Sequence, residues 1–173
     1  MVELIFIGTL HCGFTNENEL KKIISDTNPD LLLIEITEKD IQLNHISKYP
    51  EEMIFALNLA KQNNIVCKGF DSDINVLKKG TTSKDEQVII KKQEQIIKNN
   101  SWKDFNKYEL NQKLSKIGNK IIDFDKWNLR ENEMKLNIEK LILRKRIVLI
   151  LTGSGHIPFF KKNFSNAKFP LSS

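Results

Sequence analysis

The chain has 173 residues, 40% hydrophobic and 28% charged, with 27 Lys+Arg against 22 Asp+Glu for a net charge of +5. That composition fits one ordinary globular domain burying about two-thirds of its unfolded surface, and it excludes disorder, collagen-like repeats and disulfide mini-proteins. The basic excess is small and its lysines are scattered, which argues for solubility and against a nucleic-acid partner.

Apolar, β-branched runs and helical patterns alternate from the start of the chain. The first run covers residues 2–8 and ends in Gly8-Thr9-Leu10-His11. Asn16 with Glu19 then reads as a capping box, followed by Leu20, Ile23 and Ile24 at helical spacing and a stop at Asn28-Pro29. A second run, residues 30–36, contains Leu31-Leu32-Leu33-Ile34 and ends with Glu35-Ile36. A helix starting near Pro50 carries Glu51 and Glu52 in its first turn, where the macrodipole favours them, and Met53, Ile54, Leu57 and Ala60 on one face. The third run, residues 64–70, leads into Asp71, and Lys68 within it marks an edge or less buried strand.

Residues 74–144 read as a polar helical insertion of two or three helices. Ser83 with Glu86 and Ser101 with Asp104 suggest capping boxes, Gly118 a C-cap, and Asp125 the N-cap of the last helix. The fourth run, residues 146–152, ends in Gly153-Ser154-Gly155-His156, and Pro158 opens a final helix. Three of the four runs are continuous apolar blocks, as expected for strands covered on both faces. The expected fold is a single α/β domain over residues 1–173: a mostly parallel central sheet flanked by helices, with the helical insertion before the last strand.

No run approaches the ~20 apolar residues a bilayer span needs, and Glu3 stands where a secretory signal needs positive charge. Cys12 and Cys67 make no disulfide framework, so a cytoplasmic chain with two reduced thiols is expected.

Ligands of open parallel sheets bind at the carboxyl ends of the strands. There the four runs deliver His11, Glu35, Asp71 and His156, two of them as Gly-x-x-His. Gly8, Gly153 and Gly155 allow the backbone to turn off the strand and approach a ligand closely. Two imidazoles with a carboxylate suit a divalent transition metal (Mn, Co, Fe or Zn) held by His11, His156 and Glu35. They also suit metal-free general acid/base catalysis, in which a carboxylate orients a histidine. The helix behind Pro158 is expected to lower the His156 pKa and keep it neutral.

Arg130 shares a helical face with Trp127, Met134, Ile138 and Leu141, and an Arg aimed at a core needs a carboxylate partner. Other candidates recede. Pro158 replaces the third glycine of a dinucleotide loop, and Cys12 is expected to face away from a pocket that His11 faces. His45 has no companions, and Trp102, Phe105 and Tyr108 read as packing.

Gly8-Thr9-Leu10-His11, Pro29 to Glu35, Glu51 to Ala60, Asp71, Arg130 to Met134 and Gly153 to Pro158, in this order, resemble the TraB/PrgY pheromone-shutdown family. That family is grouped with the TIKI peptidases, GumN-like proteins, erythromycin esterases and ChaN-like haem-binding proteins. The resemblance implies an EreA/ChaN-like α/β fold whose pocket uses both Gly-x-x-His motifs, Glu35 and Arg130. It implies a hydrolase of a peptide or other amide or ester, expected to be divalent-metal-dependent as in TIKI members, with a metal-free enzyme as in the esterases as the alternative. In that scheme His11 and His156 are ligands or acid/base groups, Glu35 completes the metal site or activates water, Arg130 neutralises charge on the substrate, and Asp71 orients a histidine. The alternatives are a non-catalytic protein holding a peptide or a cofactor such as haem, and a buried Glu35–Arg130 ion pair with no chemistry.

Overall fold

The computed structural model describes residues 2–172. Its strands are β1 (Glu3–Thr9), β2 (Leu31–Ile34), β3 (Cys67–Gly69) and β4 (Ile147–Gly153), all parallel, in the order β1-β4-β2-β3. The expected α/β architecture is therefore what forms. The last strand lies centrally, with Gly8 opposite Thr152 and Thr9 opposite Gly153, so the two Gly-x-x-His segments leave the sheet side by side. On its other side β4 pairs Ile34 with Leu151, which brings Glu35 to the same end. β3 is an edge strand, as Lys68 suggested. The opposite edge is capped where Lys168 bridges Leu4 and Phe6 through backbone bonds of 2.8 and 2.9 Å.

Alternation along the strands divides the interior into two layers. Ile7, Leu32, Ile34, Leu149 and Leu151 face α1 (Glu17–Thr27) and α3 (Glu51–Gln62), packing on Leu20, Ile24, Met53 and Leu57. Phe6, Leu31, Leu33, Val148 and Ile150 face α6 (Phe124–Leu141) and α7 (Ile157–Asn163), packing on Met134, Ile138 and Phe160. All four residues of β2 are buried, as the continuous apolar block required.

Between β3 and β4 lie α4 (Ser83–Ile97), a 3-10 turn (Trp102–Asn106), α5 (Tyr108–Gly118) and α6. The Ser101–Asp104 box forms, but α4 is capped by Thr82 with Asp85, and α6 by Asp123 instead of Asp125. In each case the residue with extended backbone is the one that caps, because an N-cap stands outside the helical conformation. α5 closes at Asn119, one residue beyond Gly118. Asn16 caps α1 as expected, yet Glu19 does not complete the box: its carboxylate accepts from Trp102 Nε1 at 2.6 Å and from Lys103 Nζ at 2.9 Å, pinning the insertion to α1. The short helix α2 (Glu38–Gln42), capped by Thr37, had no apolar periodicity to announce it. Among the described residues no helix is long and apolar enough to cross a membrane.

Gly69 has no room for a side chain. A Cβ there would lie 2.3 Å from Ile36 O and 2.8 Å from Glu38 N, both backbone atoms that cannot rotate away. Gly69→Ala is expected to lower stability by about 1–3 kcal/mol, read as a shift in the urea midpoint at constant slope.

Candidate functional site

A cleft of about 730 Å³ lies over the carboxyl ends of β1, β2 and β4, lined by His11, Glu35, Arg130, Gly153, Gly155 and His156 among others. Sequence-distant candidates therefore share one cavity. Gly8 does not line it: its backbone N–H donates to Asn106 Oδ1 at 2.7 Å, and Asn106 Nδ2 donates back to Gly8 O at 2.9 Å. A Cβ on Gly8 would meet that Oδ1 at 2.6 Å, so the glycine serves docking of the insertion, not a ligand.

His11 follows β1 at the mouth of the cleft, its side chain 43% exposed. Its Nδ1 lies 2.6 Å from Glu52 Oε1. A carboxylate acceptor places a proton on Nδ1, so in the neutral ring the lone pair is on Nε2. Glu52 is 2% exposed, its Oε1 also accepts from Thr9 Oγ1, and its Oε2 is buried with no hydrogen-bond partner among the described residues. Desolvation pulls the His11 pKa down, but the bond to Glu52 and its charge outweigh it and set the pKa above the ordinary 6.5. Gly153 makes room for the ring: a Cβ there would stand 3.2 Å from His11 Nε2 and 3.6 Å from Glu35 Oε2.

Glu35 is the hub. Its Oε2 accepts from Thr152 Oγ1 and from Gly153 N, each at 2.6 Å. Its Oε1 accepts from Arg130 Nη2 at 3.0 Å and lies 3.5 Å from His156 Nε2. Burial would raise its pKa, but His156, Arg130 and His11 hold it well below the usual carboxylate range.

Arg130 also donates from Nε and Nη2 to Asp71 at 2.9 and 2.8 Å. The guanidinium aimed at the core is thus paired, as its place on α6 required. Burial lifts the Asp71 pKa despite Arg130, with the Glu35 charge adding to the rise. The expected role for Asp71 is corrected here: among the described residues it bonds the arginine and no histidine. The carboxylates that orient the imidazoles are Glu52 and Glu131.

His156 is almost wholly buried, with Nδ1 2.9 Å from Glu131 Oε1 and its ring stacked on Trp127 at a centroid distance of 4.4 Å and an angle of 11°. Burial alone would lower its pKa, yet Glu35 and Glu131 push it up to about 9. The expectation of a neutral His156 is overturned, because two anions within hydrogen-bonding range outweigh a helix terminus that acts over a single turn. Cys12 is corrected as well. It borders the cleft beside His11 in a left-handed conformation (φ 63°), and desolvation with the charge of Glu52 raises its thiol pKa away from the reactive thiolate.

The donors of His11, Glu35 and His156 do not fit a divalent ion. Both Glu35 oxygens are engaged and a guanidinium stands 3.0 Å from one of them, while Glu35 and Glu131 raise the His156 pKa to about 9, so an ion entering here would have to displace both the guanidinium and a proton. Among the described residues no group of three or more His, Cys, Asp or Glu side chains is arranged to hold a metal ion.

Glu52 and Glu131 were missed as site residues. Glu52 reads as a first-turn helix acid, and Glu131 stands between Arg130 and Asn132 in a charged stretch. A signal for Glu52 was present: it neighbours Met53 on a helix whose buried face also includes Ala56, Leu57 and Ala60. Comparison with family models, with curated proteins and with solved structures found no match to the chain.

Proposed function

We propose that the protein is a TraB/PrgY-like hydrolase that cleaves an ester or amide without a metal, using His11 as general base. The observation that carries this reading is the 2.6 Å contact between a buried glutamate, Glu52, and Nδ1 of a half-exposed imidazole that lines the cleft. A histidine oriented in this way takes a proton from water while the buried anion stabilises the resulting imidazolium.

Water entering beside His11 attacks the substrate carbonyl and gives its proton to Nε2 as the new C–O bond forms. Negative charge then gathers on the carbonyl oxygen, where the cationic pair Arg130 and His156 oppose it in a partly dry site. Collapse breaks the bond to the leaving group, which takes the proton from His11 Nε2. Glu35 holds Arg130 and His156 in place and neutralises part of their charge.

The rate needs His11 unprotonated and His156 protonated. It should therefore rise with pH through a His11 pKa above 6.5 and fall as His156 deprotonates near about 9. A pH profile of ester hydrolysis by chelator-treated protein checks both points. A bell-shaped profile that survives chelation supports the reading; activity lost to chelation and restored by manganese or zinc would replace it with the metal-dependent one.

A further inference from the structure

The inner face of α6 is accounted for: Glu131, Met134 and Ile138 are buried, and Trp127 and Arg130 contact the cluster at the strand ends. Its outer face is not. Leu129 and Leu136, 54% and 52% exposed, stand seven residues apart on one side of the helix, and Leu143, 69% exposed, continues the spacing just beyond its end. Seven residues make almost two full turns, so such a row stays in line along a helix. Beside it lie Glu133 and Lys140, both exposed and, among the described residues, without an ion-pair partner. The neighbouring Lys126 and Lys135 pair with Asp123 and Glu139 at 3.6 and 3.7 Å.

Single leucines scattered over a surface need no explanation, but a row at coiled-coil spacing with unpaired charges beside it is the pattern of a helix that packs on another. The row is symmetric about its middle member. Turning a second copy of α6 head to tail about Leu136 sets Leu129 against the second copy's Leu143 and Leu136 against its own equivalent. The same rotation brings Glu133 within one residue of the second copy's Lys140, on the same side of the row, and does so twice. The ends of the helix match as well. Asp123 and Asp125 stand at its start, and Lys140, Arg144, Lys145 and Arg146 at or beyond its end. An antiparallel pair therefore sets acid against base and opposes the two helix dipoles, whereas a parallel pair would set one basic end on the other. We propose that the protein forms a two-fold dimer through the outer face of α6, its partner being a second copy of this chain in antiparallel register on Leu136. The interface is independent of the hydrolase reading. Three leucines and one charge pair from each copy place it at the small end of specific interfaces, so a Kd of about 10–100 µM is expected.

Sedimentation equilibrium of the full chain from about 5 to 500 µM should show monomer passing to dimer. Leu136→Glu puts two carboxylates at the centre of the contact and should weaken association by at least about tenfold, with circular dichroism as the fold control. Glu133→Lys and Lys140→Glu should each weaken it by about three- to tenfold, and the two changes in one chain should restore the parent value. A monomer at every concentration would overturn the proposal, as would association that Leu136→Glu leaves intact. A monomer that binds phosphatidylglycerol vesicles through Leu136 would overturn it in favour of a lipid surface. Failure of the paired charge exchange to restore association would overturn the antiparallel register.

Discussion

Replacing His11 by alanine should lower kcat/KM for ester hydrolysis by about 10²–10⁴-fold, the usual contribution of a positioned general base. The same change leaves the buried Glu52 carboxylate without its imidazole partner, so the thermal midpoint should fall as well, and the rates are compared at a temperature where both proteins are folded. Glu52→Gln separates orientation from presence. The amide keeps the shape of the side chain but removes the anion that stabilises imidazolium, so the rate should fall while the acid limb of the pH profile moves to lower pH. That shift follows from the sign of the effect: Glu52 raises the His11 pKa, and removing its charge lowers it. Progress curves at several pH values, with circular dichroism as the fold control, read both outcomes. An unaltered rate in His11→Ala would end the general-base assignment.

The largest effect on stability is expected at Arg130. Arg130→Met strands two buried carboxylates, Glu35 and Asp71, that now share one guanidinium at 2.8–3.0 Å. Breaking a buried pair from one side costs about 3–5 kcal/mol, because an uncompensated charge is left behind. Asp71, whose pKa is already raised by burial, should respond by taking a proton, so the loss should shrink as the pH falls. Adding Asp71→Asn to Arg130→Met removes one of the stranded charges, and the double variant should be more stable than Arg130→Met alone. Urea unfolding at neutral and mildly acidic pH measures both differences.

The sheet and the placement of its ends were legible because they rest on runs of like character. Four apolar runs became four strands, and the Gly-x-x-His repeat marked the two that lie side by side. Arg130 was legible for the same reason: a cation on the apolar face of α6 needs an anion, and it has two. Strand order was not, since it depends on which crossover each helix makes and not on any single segment. The protonation of His156 was misread because the glutamate facing it, Glu131, lies on another helix, although its spacing from Trp127, Met134 and Ile138 places it on the same buried face as Arg130. Glu52 and Glu131 replace Asp71 as orienting acids because which acid meets which imidazole depends on how the helices pack on the sheet. Short polar helices such as α2 carry capping side chains but no periodicity, so they become visible only once tertiary contacts such as Tyr49 to Asp40 are known.

Because β1 and β2 both pair with β4 and not with each other, the N-terminal strands have no common sheet until residues 147–153 arrive. On a ribosome, most of the polypeptide would emerge with a vacancy at its centre, and closing it joins segments more than a hundred positions apart, a slow kind of step. The cleft lined by His11, Glu35 and His156 would then take shape only upon insertion of the closing strand.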